Sequence, residues 1–179
     1  PAASRRATSR ATSRAAARDE VAVKALRLAL ALFAVSVAAY ARADLGVNVY
    51  GLSYHLNHDK ARELRIDNQF NPGLGVRLRA QREAWDWIGD AGFYHDSGRN
   101  TASIAGGGAL WHATQRLRLG GAAVIFHSNT YNHGKAFITP LPLAAYELGP
   151  VTLNAFFTPK LRELNDVNTF GLWATIWLR

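Results

Sequence analysis

The 179-residue chain contains no cysteine and no methionine. Without cysteine there is no disulfide framework, thiolate metal site or thiol nucleophile, and an oxidising compartment is permitted. Long spanning helices are lacking as well. The most apolar run, Leu28 to Ala41, is 14 residues, short of the roughly 20 a helix needs to cross a bilayer. Charge of one sign is scarce outside the first residues. The formal net charge is +8, yet residues 1–43 carry +6 of it and residues 44–179 only +2. The latter part has no basic stripe with interleaved aromatics, which excludes nucleic acid as a partner. With 49% apolar residues, the chain is not compositionally disordered.

The leader reads as a secretion signal. Lys24 and Arg27 precede the run Leu28 to Ala41, and Ala41-Arg42-Ala43 follows as a small-x-small cleavage site. A basic start, an apolar middle and such a site are the three parts of a signal peptide, assigned here to residues 21–43. Residues 1–20 are low-complexity Ala/Ser/Arg and cannot bury a core. Translation is expected to begin near Val21 or Val23, which leaves a mature domain over residues 44–179.

That domain shows no sustained 3.6-residue period, whereas several segments alternate with a period of two. Leu74, Val76, Leu78 and Ala80 share one face, with Arg77 and Arg79 opposite. Phe170, Leu172, Ala174, Ile176 and Leu178 alternate with Trp173 and Trp177. Eight strands are expected, near 45–57, 71–82, 84–96, 100–113, 116–128, 136–147, 150–159 and 167–179. The connections after strands 2, 4 and 6 are tight; those after strands 1, 3, 5 and 7 are polar and mostly longer. Short turns on one side and long loops on the other mark an outer-membrane barrel. The fold expected is therefore all-β, an eight-stranded antiparallel transmembrane β-barrel. A soluble sandwich or lipocalin-like barrel is the competing fold. Outer-membrane strands usually end on an aromatic residue; this chain ends Trp177-Leu178-Arg179.

Strand order places polar residues at the extracellular mouth. In strand 1, Tyr50, Leu52, Tyr54 and Leu56 form the lipid-facing set, and Gly51, Ser53, His55 and Asn57 point inward. Asp96 ends the next outward strand and Ser97 follows it. An imidazole, a carboxylate and a hydroxyl within reach suit acyl transfer. The histidine acts as general base and the carboxylate orients it. The serine either attacks or donates to the oxyanion. A bland lumenal hydrogen-bond network would use the same residue types.

These residues also carry a resemblance. LSYH at 52–55, FYHDSGRN at 93–100 and the carboxyl third from TPLPLAAYELGP onward resemble the lipid A palmitoyltransferase (PagP) family of outer-membrane enzymes. The resemblance implies His55, Asp96 and Ser97 as catalytic residues. It implies transfer of a palmitoyl-type chain from an outer-leaflet phospholipid to a hydroxyacyl chain of lipid A. It places Gly108, in IAGGGALW, on the floor of an interior acyl pocket. Trp173 and Trp177 would either line that pocket or simply fill the barrel, and the glycine run equally suits steric relief at a bend. Phospholipid and lipid A, the barrel-assembly machinery, a monomeric state and the bacterial outer membrane complete this reading, with no cofactor and no metal. The chain departs from the family in three ways. It has no counterpart of the amino-terminal amphipathic helix. It carries Tyr50 where the family has a proline before the histidine. It has no clear basic residue in the loop before the PLP strand.

Two alternatives stand beside it. FHSN at 126–129 resembles the His-x-Ser-Asn motif of lipid A deacylases, one residue short in spacing. A small structural or adhesion barrel needs no lipid pocket at all. For such a barrel Arg77, Arg79, Asp86 and Asp90, all inward, would pair below the rim. His127 and His133 read as surface loop residues rather than metal ligands.

Overall fold

The computed structural model describes residues 43–160 and 166–178. Residues 1–42, and with them nearly all of the leader and signal-peptide reading, lie outside the described residues. So do residues 161–165 and Arg179. Eight strands follow in order: β1 (Asp44–His55), β2 (Phe70–Arg82), β3 (Trp85–His95), β4 (Thr101–His112), β5 (Leu117–His127), β6 (Phe137–Leu148), β7 (Val151–Thr158) and β8 (Thr169–Trp177). Each pairs antiparallel with the next and β8 pairs with β1, which closes the barrel. All eight match expected strands to within a few residues.

Turns alternate with loops as the sequence implied. Glu83 takes φ 53° in the β2–β3 turn, and Gly149 takes φ 70° before Pro150 in the β6–β7 turn. Strand β1 ends two residues before the expected residue 57, and the β1–β2 loop that follows holds a short helix, α1 (His58–Glu63). The Asn57 side chain caps it by accepting from the Lys60 amide at 2.9 Å, as asparagine does at helix starts. So short a helix leaves no periodic signal.

The sides of the wall are inverted relative to a soluble protein. Leu74, Val76, Trp87, Phe93, Ile125, Ile138, Leu153 and Leu172 are exposed on the outside, whereas Asn48, Arg77, Asp86, Arg118, Asn154 and Thr175 are buried. Trp85 and Trp111 pair across β3–β4 near the short turns, as in an interfacial aromatic girdle. Apolar outside and charged inside is the pattern of a lipid-embedded barrel. A lipocalin-like barrel has the opposite one. The protein is an eight-stranded transmembrane barrel of the outer-membrane type.

One assignment to the outer face is corrected. Tyr50 points inward, with its hydroxyl buried and against the inner wall at Gly75 and Gly92. The cause is a pair of register irregularities. Tyr50 pairs with Trp173 and Leu52 with Leu172, so Gly51 is an extra residue against β8. Against β2, Tyr50 faces Gly73 and Leu52 faces Phe70, so Asn71 and Pro72 are opposite Gly51 alone. A bulge shifts the period-two parity by one. Tyr50 faces in, Leu52 and Tyr54 face out, and Ser53 and His55 face in. Asn57, placed inward by simple alternation, is exposed as the helix cap.

Candidate functional site

The lumen has two layers. The layer nearer the short turns is filled by charge. Arg77 donates to both carboxylate oxygens of Asp90 at 2.8 and 2.9 Å and to Asn154 at 2.7 Å. Asn154 donates to Thr175, Thr175 to Asn48, and Asn48 back to Asp90. This ring closes across five strands. Nearer the turns, Arg118 bonds Asp86 and Glu147, His112 bonds Asp86, and Arg79 bonds Glu147 and Asp44. The pairing expected of Arg77, Arg79, Asp86 and Asp90 is therefore present. Trp177 belongs to this layer, with its indole donating to Thr152 and its ring under Arg79 at 4.0 Å.

Nearer the loops the lumen is an apolar cavity of about 140 Å3. Ile104, Val124, Phe126, Phe137, Leu141, Leu143 and Phe156 line it, and Tyr50, Trp173, Arg77 and Asp90 form its deep end. Tyr50 and Trp173 lie 6.3 Å apart by ring centroid, and Trp173 and Phe156 6.1 Å. Aromatic rings thus stand beside Arg77 and Asp90 where the hydrocarbon space meets the charged ring. Gly108 is not among the cavity's lining residues. It lies instead beside Gly120, Pro140 and Pro142. A Cβ there would come within 2.1 Å of the Gly121 carbonyl, so close strand approach accounts for this glycine.

Ser53, Asn71, Asp96 and Ser97 line the same cavity at its loop end. The Ser53 and Ser97 hydroxyls are 3.1 Å apart. Asn68, unmarked by the sequence, ties the β1–β2 loop to the segment after β3: its backbone amide donates to the Ser97 carbonyl, and its side chain to the Asp96 carbonyl. The Asp96 carboxylate accepts from the Gly98 and Asn100 amides, both at 2.9 Å, and from the Ser128 hydroxyl. It thereby shapes the 96–100 turn and fastens it to the end of β5. Tyr131 lies over this region, and burial first, with the Asp96 charge second, pushes its phenol well up. It remains a neutral hydroxyl.

His55 stands apart. It is 1% exposed, and among the described residues neither ring nitrogen has a hydrogen-bond partner. It bonds neither Asp96 nor Ser97 and does not line the cavity. The structure brings Asp96 and Ser97 together with Ser53 and leaves His55 one inward step farther along β1, about 7 Å by strand rise. His127 and Ser128 of the FHSN segment diverge: His127 is exposed on the outer face and Ser128 is fully buried against Asp96. They do not form one site.

No family model matches the chain, and no curated protein matches it. Among solved structures, one reported under de novo design of transmembrane beta-barrels matches with TM-score 0.53 and 15% identity, over 75% of this chain and 95% of that one. The fold is that of a transmembrane β-barrel. Another match is Ail, the attachment invasion locus protein of Yersinia pestis, solved with the heparin analogue sucrose octasulfate. Its TM-score is 0.38 and its identity 13%, over 76% of this chain and 99% of that one.

Proposed function

We propose that this outer-membrane barrel takes an acyl chain of a membrane lipid into the apolar half of its lumen and acts on the acyl ester at its mouth, as a lipid A acyltransferase. The observation that carries the reading is the apolar cavity whose loop end holds Ser53, Asp96 and Ser97. A lumen meant only to be rigid would be filled to native packing density. The chemistry would use His55 as general base once its ring turns toward the Ser53–Ser97 pair. The Ser97 hydroxyl would attack or steady the oxyanion. Asp96 serves mainly to build the turn that presents Ser97. A cavity of about 140 Å3 is close to one that encloses a benzene ring. It suits a short chain segment, of about as many carbons as that ring, rather than a whole palmitoyl chain.

A specific observation favours the second reading, a non-enzymatic small barrel. His55 bonds neither Asp96 nor Ser97, and the Asp96 carboxylate is occupied by Ser128 and two backbone amides. The comparisons lean the same way, since a fold shared with a designed barrel implies no chemistry. Mass spectrometry of lipid A from cells making the protein decides between them, run beside His55→Ala and Ser97→Ala at matched membrane abundance. Acyl transfer adds one chain with the wild type and none with either variant, and the mass gained gives the chain length. Unchanged lipid A, with folded barrel and donor phospholipid both in the outer leaflet, leaves the structural reading. Loss of a hydroxyacyl chain would indicate a deacylase.

A further inference from the structure

Among the described residues the mouth of the cavity holds one polar side chain with nothing to bond. Asn71 is 5% exposed, lines the cavity, and has both its amide nitrogen and its amide oxygen without a partner. Buried amides are nearly always satisfied, and an orphaned one calls for an explanation. The strand pairing shows why it is aimed inward. Asn71 and Pro72 together oppose Gly51, so this residue belongs to a β-bulge, a device that re-aims a side chain next to a site. Its neighbours at the mouth are better provided for, since Ser53 and Ser97 bond each other. The other orphaned donors on the cavity wall, the Tyr50 hydroxyl and the Trp173 indole, belong to the deep end, where Arg77 lies 5.4 Å from the indole ring.

We propose that Asn71 is a binding residue for the carbonyl group of an acyl chain whose tail occupies the cavity. The inference rests on the acyl-binding reading above and names what that site selects: acyl carbonyl compounds over alkyl chains of equal shape. The amide N–H donates to the carbonyl oxygen. Either orientation of the amide presents both a donor and an acceptor. The acceptor is left for a water or for the hydroxyl of an incoming molecule. A carbonyl held at this level sits beside the Ser53–Ser97 pair, where attack on it would take place.

The test uses the folded full-length barrel in amphipol, with folding checked by its gel mobility before and after boiling. Binding of 2-decanone and of 2-methyl-1-decene is measured for the wild type and for Asn71→Leu. The two ligands share a shape, but only the ketone accepts a hydrogen bond. The ketone-to-alkene affinity ratio is expected to fall roughly five- to tenfold in the variant, the worth of one hydrogen bond to a buried donor. Alkene binding should change by less than about twofold. A ratio equal in both proteins would overturn the role of Asn71 and leave the cavity reading intact. If neither protein binds either ligand, the cavity reading fails and this inference fails with it.

Discussion

The two halves of the lumen are made from the same eight strands and filled by opposite chemistry. Toward the short turns, Arg77, Asp90, Asn48, Thr175 and Asn154 satisfy one another in a closed ring. Toward the loops, leucine, isoleucine and phenylalanine leave space open, and the polar atoms of Asn71 and His55 are left unpaired. A satisfied network specifies a unique and rigid arrangement. An apolar void with an orphaned amide at its mouth, and an unpaired imidazole outside it, lowers stability. The difference separates a layer that holds the barrel together from a layer that leaves space open.

The contrast breaks most sharply at the ring. Arg77→Leu leaves Asp90 buried without its partner and is expected to destabilise the barrel by about 3–5 kcal/mol. Urea titration of the folded protein measures this, and a loss below about 1 kcal/mol would show that the ring is not the structural layer. Arg77→Leu combined with Asp90→Leu should recover most of the loss, because the uncompensated charge is gone.

Filling the other half should do the reverse. Ala122→Phe places a ring into the cavity and should raise stability by up to about 2 kcal/mol, as cavity filling does. Binding of an apolar ligand such as 2-methyl-1-decene should drop by tenfold or more, as isothermal calorimetry would record. Undiminished binding would mean that the ligand lies elsewhere.

At the mouth, Ser128→Ala removes one bond to Asp96 and should lower stability by about 1 kcal/mol. The amides of Gly98 and Asn100 should then exchange hydrogen faster. Unchanged exchange would show that Asp96 does not need Ser128 to hold the turn.

The smallest effect is expected at His55. Removing a buried ring with no bonds to lose, His55→Leu should alter stability by less than about 1 kcal/mol. Acyl transfer should be abolished by it. A large stability loss together with unchanged lipid A would place His55 in the structural layer.

Much of the mouth was legible from strand order alone. With strand 1 read as running toward the long loops, the ends of β1 and β3 meet on that side. That brings Ser97 to Ser53 and sets His55 nearby. The mouth also contains residues that simple alternation passed over. Asn68 and Ser128 act through loop contacts between segments far apart in sequence. Asn71 had a local signal: an Asn-Pro-Gly run at the head of a strand marks a bulge. Gly51 within strand 1 marks its counterpart. Neither signal says how the two combine.

By itself the sequence determined the class of structure. Period-two alternation, eight segments of nearly even length and turn residues at alternate junctions suffice, because each is a local property of the chain. Which side of the wall faces lipid was decided by closure, since alternation in one strand is equally consistent with either side. The inward turn of Tyr50 and Asn71 was decided by tertiary structure too. A bulge exists only relative to its partners, and β1 has two, β2 and β8, whose registers slip at the same place. The division of the lumen follows from the same cause. Whether an inward arginine meets a carboxylate or an inward leucine meets open space depends on side chains brought across the barrel from strands distant in sequence.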